Sequence, residues 1–171
     1  MLAVREDAIA GATHAIVAVD FSEIAERAAQ AAIDLVGDCG IVELVHVTPY
    51  VAEYPSSVQG QKPYKRWALG QLDALIGRLS ASPGVSLQRA VVRGRAAHVL
   101  LERASRVGAD LIAAGTHGHG YVARAVLGSV TSDLLRGAHC AVLLVPREPL
   151  TVRTEATAAP AAAPAPPATR G

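Results

Sequence analysis

The chain has 171 residues, 51% hydrophobic and 18% charged, which suits one domain with a sizeable core. A net charge of +1 and an aromatic content of 4% argue against a nucleic-acid or anionic-membrane surface. No apolar run approaches the length of a membrane span, and the first dozen residues carry Arg5, Glu6 and Asp7 instead of an apolar signal core, so a cytoplasmic location is expected.

In chain order, residues 1–12 read as an N-terminal extension. Residues 14–19 (HAIVAV) form a short apolar run rich in branched side chains, as in a buried strand. Asp20 falls at its end. Ser22 suits a helix N-cap, with Glu23 and Glu26 in the first turn, where the helix dipole favours negative charge. Ile24, Ala28, Ala32, Leu35 and Val36 recur at helical spacing, until Gly37 and Gly40 stop the pattern. Residues 41–47 (IVELVHV) predict a second strand, with Glu43 and His46 interrupting its apolar character. His46 is expected to be a satisfied core histidine. Residues 48–61 read as a loop rich in proline and serine, and Pro63 as the opening of the next helix. Ala68, Leu72, Leu75, Ile76 and Leu79 give that helix a buried face, with Tyr64 and Trp67 as packing residues.

A turn at Ser82-Pro83-Gly84 leads to a third strand over residues 85–92. Ala97, Leu100, Leu101, Ala104 and Val107 repeat at helical intervals, with Glu102, Arg103 and Arg106 outward, and Gly108 ends the helix. Residues 110–114 (DLIAA) predict a fourth strand. A glycine-rich loop, a short helix from Ser129 and a last strand over residues 141–145 follow. Cys39 and Cys140 form no C-x-x-C and have no ligand-spaced histidines, so both are expected as buried free thiols; a disulfide between them would require close approach in space. Residues 148–171, rich in alanine and proline, read as a disordered tail.

The stretch with chemical content is GTHGHGYVARAVLGS, residues 115–129. Two residues separate Gly115 from Gly118, and nine separate Gly118 from Gly128-Ser129. Glycine lets a backbone approach a ligand closely, and the amides of a helix start can donate to anionic oxygen. The loop therefore reads as a phosphate cradle. It lacks the G-x-x-x-x-G-K-[ST] of a Walker loop, and the G-x-G beginning at Gly118 does not continue as a dinucleotide fingerprint, because position 123 is Ala.

The spacing G-x2-G-x9-G-[ST], filled by Gly115, Gly118, Gly128 and Ser129, resembles the nucleotide-binding type of universal stress protein. The flanking Ala114-Gly115-Thr116-His117-Gly118, Gly128-Ser129-Val130-Thr131, Val19-Asp20-Phe21-Ser22 and Leu44-Val45-His46-Val47 resemble further marks of that family. The resemblance covers about residues 13–147, taken as the domain. Alternating strands and helices themselves predict an α/β fold with right-handed crossovers. The family adds an open, doubly wound, five-stranded parallel sheet in the order 3-2-1-4-5, Rossmann-like with helices on both faces. That order would set strands one and four side by side and make a ligand crevice at their carboxyl ends, between Asp20 and Gly115.

The resemblance implies an adenine-nucleotide site for ATP, or ADP or AMP, built from Ala18, Val19, Asp20, Val47, Ala114, Gly115, Gly118, Gly128, Ser129, Val130 and Thr131. Two readings fit Asp20, a ribose hydrogen-bond acceptor and a cap for the following turn; the resemblance favours the first. Ala18, Val19 and Val47 would border adenine, and ordinary core packing fits these side chains as well. Mg2+ or Mn2+ would be held through the phosphates and water, since no carboxylate cluster is spaced to hold a cation. His117, His119 and Arg124 read as loop structure, and Asp133 as a solvated helix residue. The implied function is a nucleotide-dependent stress-response module, a homodimer through Ala141–Val145. A slow ATPase or nucleotidyl-transfer enzyme and a nucleotide-independent dimeric interaction protein are the alternatives, and no dedicated base or arginine finger favours the enzyme.

Overall fold

The computed structural model describes residues 11–48, 58–116 and 128–146, with backbone alone for 58–61. Five strands alternate with four helices: β1 (His14–Ala18), α1 (Glu23–Leu35), β2 (Ile41–Thr48), α2 (Val58–Ile76), β3 (Ser86–Arg93), α3 (Ala96–Val107), β4 (Leu111–Gly115), α4 (Ser129–Gly137) and β5 (Ala141–Val145). The strands form one parallel sheet in the order β3-β2-β1-β4-β5. β1 pairs with β2 and β4, with Val17 opposite Leu44 on one side and Ala113 on the other. The expected sheet order, and the reversal of strand order between β1 and β4, are therefore both present.

Period-two alternation divides the core into two layers. Ala15, Val17, Val42, Leu44, Leu111 and Leu143 meet α1 and α2 through Ala28, Ala32 and Leu72. Ile16, Val45, Ile112, Ala114, Val142 and Leu144 meet α3 and α4 through Leu100, Ala104 and Leu134. Both faces of the sheet are covered, which is why its inner strands read as nearly continuous apolar runs. Ala28, Ala29 and Ala32 are fully buried on α1, and their small side chains bring that helix close to the sheet. Each completely buried Ile or Leu, such as Ile16 or Leu44, contributes roughly 1.5–3 kcal/mol.

Local signals set most helix ends. Ser22 caps α1, its hydroxyl accepting from the Ala25 amide at 3.2 Å. Gly108 closes α3 in the left-handed conformation (φ 64°) that a side chain would strain. α2 differs from expectation: it starts at Val58, and Pro63 lies inside it. Without an amide hydrogen, Pro63 gives up one helical bond, but the helix continues on both sides of it and is anchored downstream by buried Ala68, Leu72 and Leu75.

Two surface expectations are also corrected. Arg103 is not outward but only 27% exposed, because it reaches across to the nearly buried carboxylate of Glu43 on β2. Its Nε donates to Glu43 Oε2 at 2.6 Å, and a second bond joins Nη2 to Oε1. Cys39 is exposed, since it ends a 3-10 turn (Gly37–Cys39) before the chain enters β2; Cys140 is half-buried, and both thiols are free.

Candidate functional site

The chain ends of β1 and β4 lie side by side at the switch point. The segment that leaves β1 is held by its own side chains, and the described residues on either side of the segment after β4 are held mainly by backbone bonds. After β1, Asp20 Oδ1 accepts from the Ser22 amide at 3.0 Å and the Ser22 hydroxyl at 2.6 Å. Ser22 in turn caps α1, so the turn-capping reading of Asp20 holds for Oδ1. Phe21, between them, has φ 65°, a left-handed conformation rare for a bulky residue. Its ring is held 4.4 Å from the His46 ring and 5.4 Å, edge-on, from Trp67.

His46 is buried and bonded at both ring nitrogens, Nδ1 to the Val19 carbonyl at 2.7 Å and Nε2 to the Tyr64 hydroxyl at 2.9 Å. Burial lowers its pKa below the usual imidazole range, against the smaller opposing effects of the Val19 bond and the Asp20 charge. It is the satisfied core histidine expected from sequence. Trp67 packs on Phe21 and Tyr64 but remains half-exposed at the edge of this aromatic group.

After β4, the Thr116 amide bonds the Val145 carbonyl at 2.9 Å and extends the β4–β5 pairing by one step. The chain returns at Gly128, whose amide donates to the Thr116 carbonyl at 3.3 Å. The buried Thr131 hydroxyl donates to the Gly115 carbonyl at 3.3 Å. These two bonds tie the start of α4 to the end of β4. Gly128 is the N-cap of α4 and offers no side-chain hydrogen bond to it, unlike Ser22 on α1. The leading amides of α4 have no intrahelical acceptor by construction and carry the positive end of the dipole. Gly118, with His117, His119 and Arg124, lies outside the described residues.

The remaining expected site residues separate by face. Ala18, Val47 and Val130 are partly buried and pack on the α3/α4 layer, which Ala114 also joins. Val19 packs on the α1/α2 layer, because adjacent residues of an extended chain point oppositely. Its amide still bonds the Val45 carbonyl at 2.9 Å. Ser129 is exposed. A cavity of about 410 Å³ opens between the starts of α3 and α4, lined by Arg95, Ala97, Leu101, Ser129, Val130 and Asp133, among others. Arg95 and Leu101 were not among the expected site residues; they lie far from Ser129 along the chain, and only the packing of α3 beside α4 brings them there. Among the described residues, no group of three or more His, Cys, Asp or Glu side chains could hold a metal ion, and no helix is long and apolar enough to cross a membrane.

The model of the universal stress protein family matches residues 12–146. The chain belongs to the universal stress protein family. A universal stress protein of Methanocaldococcus jannaschii is 27% identical over 144 residues, 76% of this chain and 79% of that one. Universal stress protein UspA from Lactobacillus plantarum has the same fold, with a TM-score of 0.65 and 22% identity over 78% of this chain and 97% of that one. A universal stress protein solved in complex with cAMP superposes with a TM-score of 0.55 and 21% identity, covering 79% and 97% of the two chains. Universal stress proteins thus include nucleotide binders, and this chain has their sheet with its switch point between β1 and β4.

Proposed function

We propose that this universal stress protein binds an adenine nucleotide, ATP or its di- or monophosphate, in the crevice between the ends of β1 and β4. Gly128 carries the reading. Its backbone is not left-handed (φ −56°), and an added Cβ would meet only the Thr116 carbonyl oxygen at 3.5 Å and the Thr131 hydroxyl at 3.9 Å, both ordinary contacts. Neither backbone conformation nor packing requires glycine there, whereas a phosphate drawn up to the amides of Ser129, Val130 and Thr131 would need the missing side chain's space. Gly115 and Gly118 complete the cradle. Asp20 contributes a carboxylate toward ribose, and Ala18 and Val47 an apolar border for adenine on the α3/α4 side. Mg2+ or Mn2+ is carried by the phosphates and water.

The protein acts as a module whose nucleotide occupancy is communicated to partners in a stress response. Its domain spans residues 13–147. β5, whose five side chains are all buried, lies at the edge of the sheet, and that edge is the surface through which two copies pair. We place this module in the cytoplasm.

Titration calorimetry with ATP, ADP, AMP and cyclic AMP tests the reading on the intact protein. The expected result is saturable binding that is abolished by a bulky residue at position 118 and weakened on the order of tenfold by Gly128→Ala, with folding retained. No heat with any of the four, or full affinity in both variants, would overturn it. Sedimentation velocity on the same sample tests the pairing through β5.

A further inference from the structure

The described part of the phosphate cradle offers backbone amides but no cation. The side of the site that faces α3 supplies one. β3 ends at Arg93, and Arg95 is the extended N-cap of α3 (φ −81°, ψ 122°). Arg95 lines the same cavity as Ser129 and Val130, together with buried Ala97 and half-buried Leu101. Other arginines of the chain are engaged: Arg78 with Glu26, Arg89 with Asp73, Arg103 with Glu43, Arg106 with Glu102 and Arg136 with Asp133. The Arg95 guanidinium has no ion pair or hydrogen bond among the described residues. Asp133, the acidic residue among those that line the cavity, is bonded to Arg136 at 2.5 Å. His98, also in that lining, lies 3.8 Å from Glu102.

We propose that Arg95 is a phosphate-binding residue, pairing with the polyphosphate of the bound adenine nucleotide and setting a preference for more highly phosphorylated ligands. This rests on the nucleotide-binding reading above. A guanidinium is always charged and presents a planar fork of donors that matches two phosphate oxygens, so it complements a cradle built of single amide donors. The cavity of about 410 Å³ lies within the usual size range of small-molecule sites. Ala97 and Leu101 add apolar surface to the lining of the same cavity.

The experiment compares ATP, AMP and adenosine as ligands of the wild type, Arg95→Ala and Arg95→Lys by calorimetry, at low and moderate salt. The expected result is a loss on the order of tenfold or more for ATP with Arg95→Ala, a smaller loss for AMP and none for adenosine. Arg95→Lys recovers part of the ATP affinity, and the salt dependence of ATP binding becomes shallower in Arg95→Ala. Because Arg95 is exposed, the variants should retain the wild-type unfolding midpoint. Wild-type binding of ATP that Arg95→Ala leaves unchanged, or a loss equal for ATP and adenosine, overturns the role of Arg95 alone. A wild type that binds none of the three overturns the nucleotide reading and this role with it.

Discussion

The Thr131 hydroxyl and the Gly115 carbonyl, 3.3 Å apart, join the first turn of α4 to the end of the strand before it. The bond crosses the segment that carries the glycine motif and sets the spacing of its two anchored ends. Thr131 is buried, so Thr131→Val keeps the shape but leaves the carbonyl without this donor. The variant should lose about 1 kcal/mol of stability, read as a lower urea midpoint with unchanged slope. A wild-type midpoint would mean that another donor replaces the hydroxyl.

Asp20 and Ser22 can be separated by mutation because they act in series. Ser22→Ala removes the cap of α1 and should cost about 1 kcal/mol. It leaves the Asp20 charge in place, and nucleotide affinity should fall little. Asp20→Ala also releases the turn, but should in addition weaken nucleotide binding on the order of tenfold. Equal effects of the two changes on affinity would reduce Asp20 to a turn residue.

The Glu43–Arg103 pair joins β2 to α3 beneath the site, with Glu43 almost completely enclosed. Arg103→Leu strands that carboxylate and should destabilise the protein by about 3 kcal/mol. The double change Glu43→Leu with Arg103→Leu should recover most of the loss, because neither charge remains to be desolvated. A thermodynamic cycle from chemical denaturation measures the coupling.

His46 makes stability depend on pH in mildly acidic solution. Burial holds its folded pKa below the ordinary 6.5, so the unfolded chain binds the proton more readily. The neutral ring's contribution is therefore complete above about 6.5 and is lost as pH falls from there toward the depressed folded value. The groups around it are the Val19 carbonyl, the Tyr64 hydroxyl, the Phe21 ring and the Asp20 carboxylate. Asp110, whose carboxylate accepts from the Thr13 and His14 amides, is also shifted downward, and its contribution is lost only as pH falls below 3.8. Unfolding free energy measured from pH 7 to pH 5 should decline in the wild type and stay flatter in His46→Gln. Parallel profiles would assign the slope to other groups.

Most of the fold was legible because parallel strands buried on both faces leave uninterrupted apolar runs. The strands begin and end within a residue of expectation, and Ser22 and Gly108 mark helix ends by their own chemistry. α2 was misplaced at its start because proline favours a first turn, while Gly60 weakens the helical signal upstream. The partnership of Glu43 with Arg103 was invisible because it depends on which face of β2 meets α3. In the proposed site, the glycine set rests on spacing along the chain, whereas Arg95 enters only through the packing of α3 beside α4.

Phe21 makes the placement of the Asp20 carboxylate depend on the aromatic rings packed against its own. Its strained backbone conformation persists because the ring is wedged between His46 and Trp67. Trimming that ring would let the main chain swing back to an easier angle and carry Asp20 out of line, although no polar group had been altered. A disturbance of the α2 surface at Trp67 has the same mechanical route to the carboxylate.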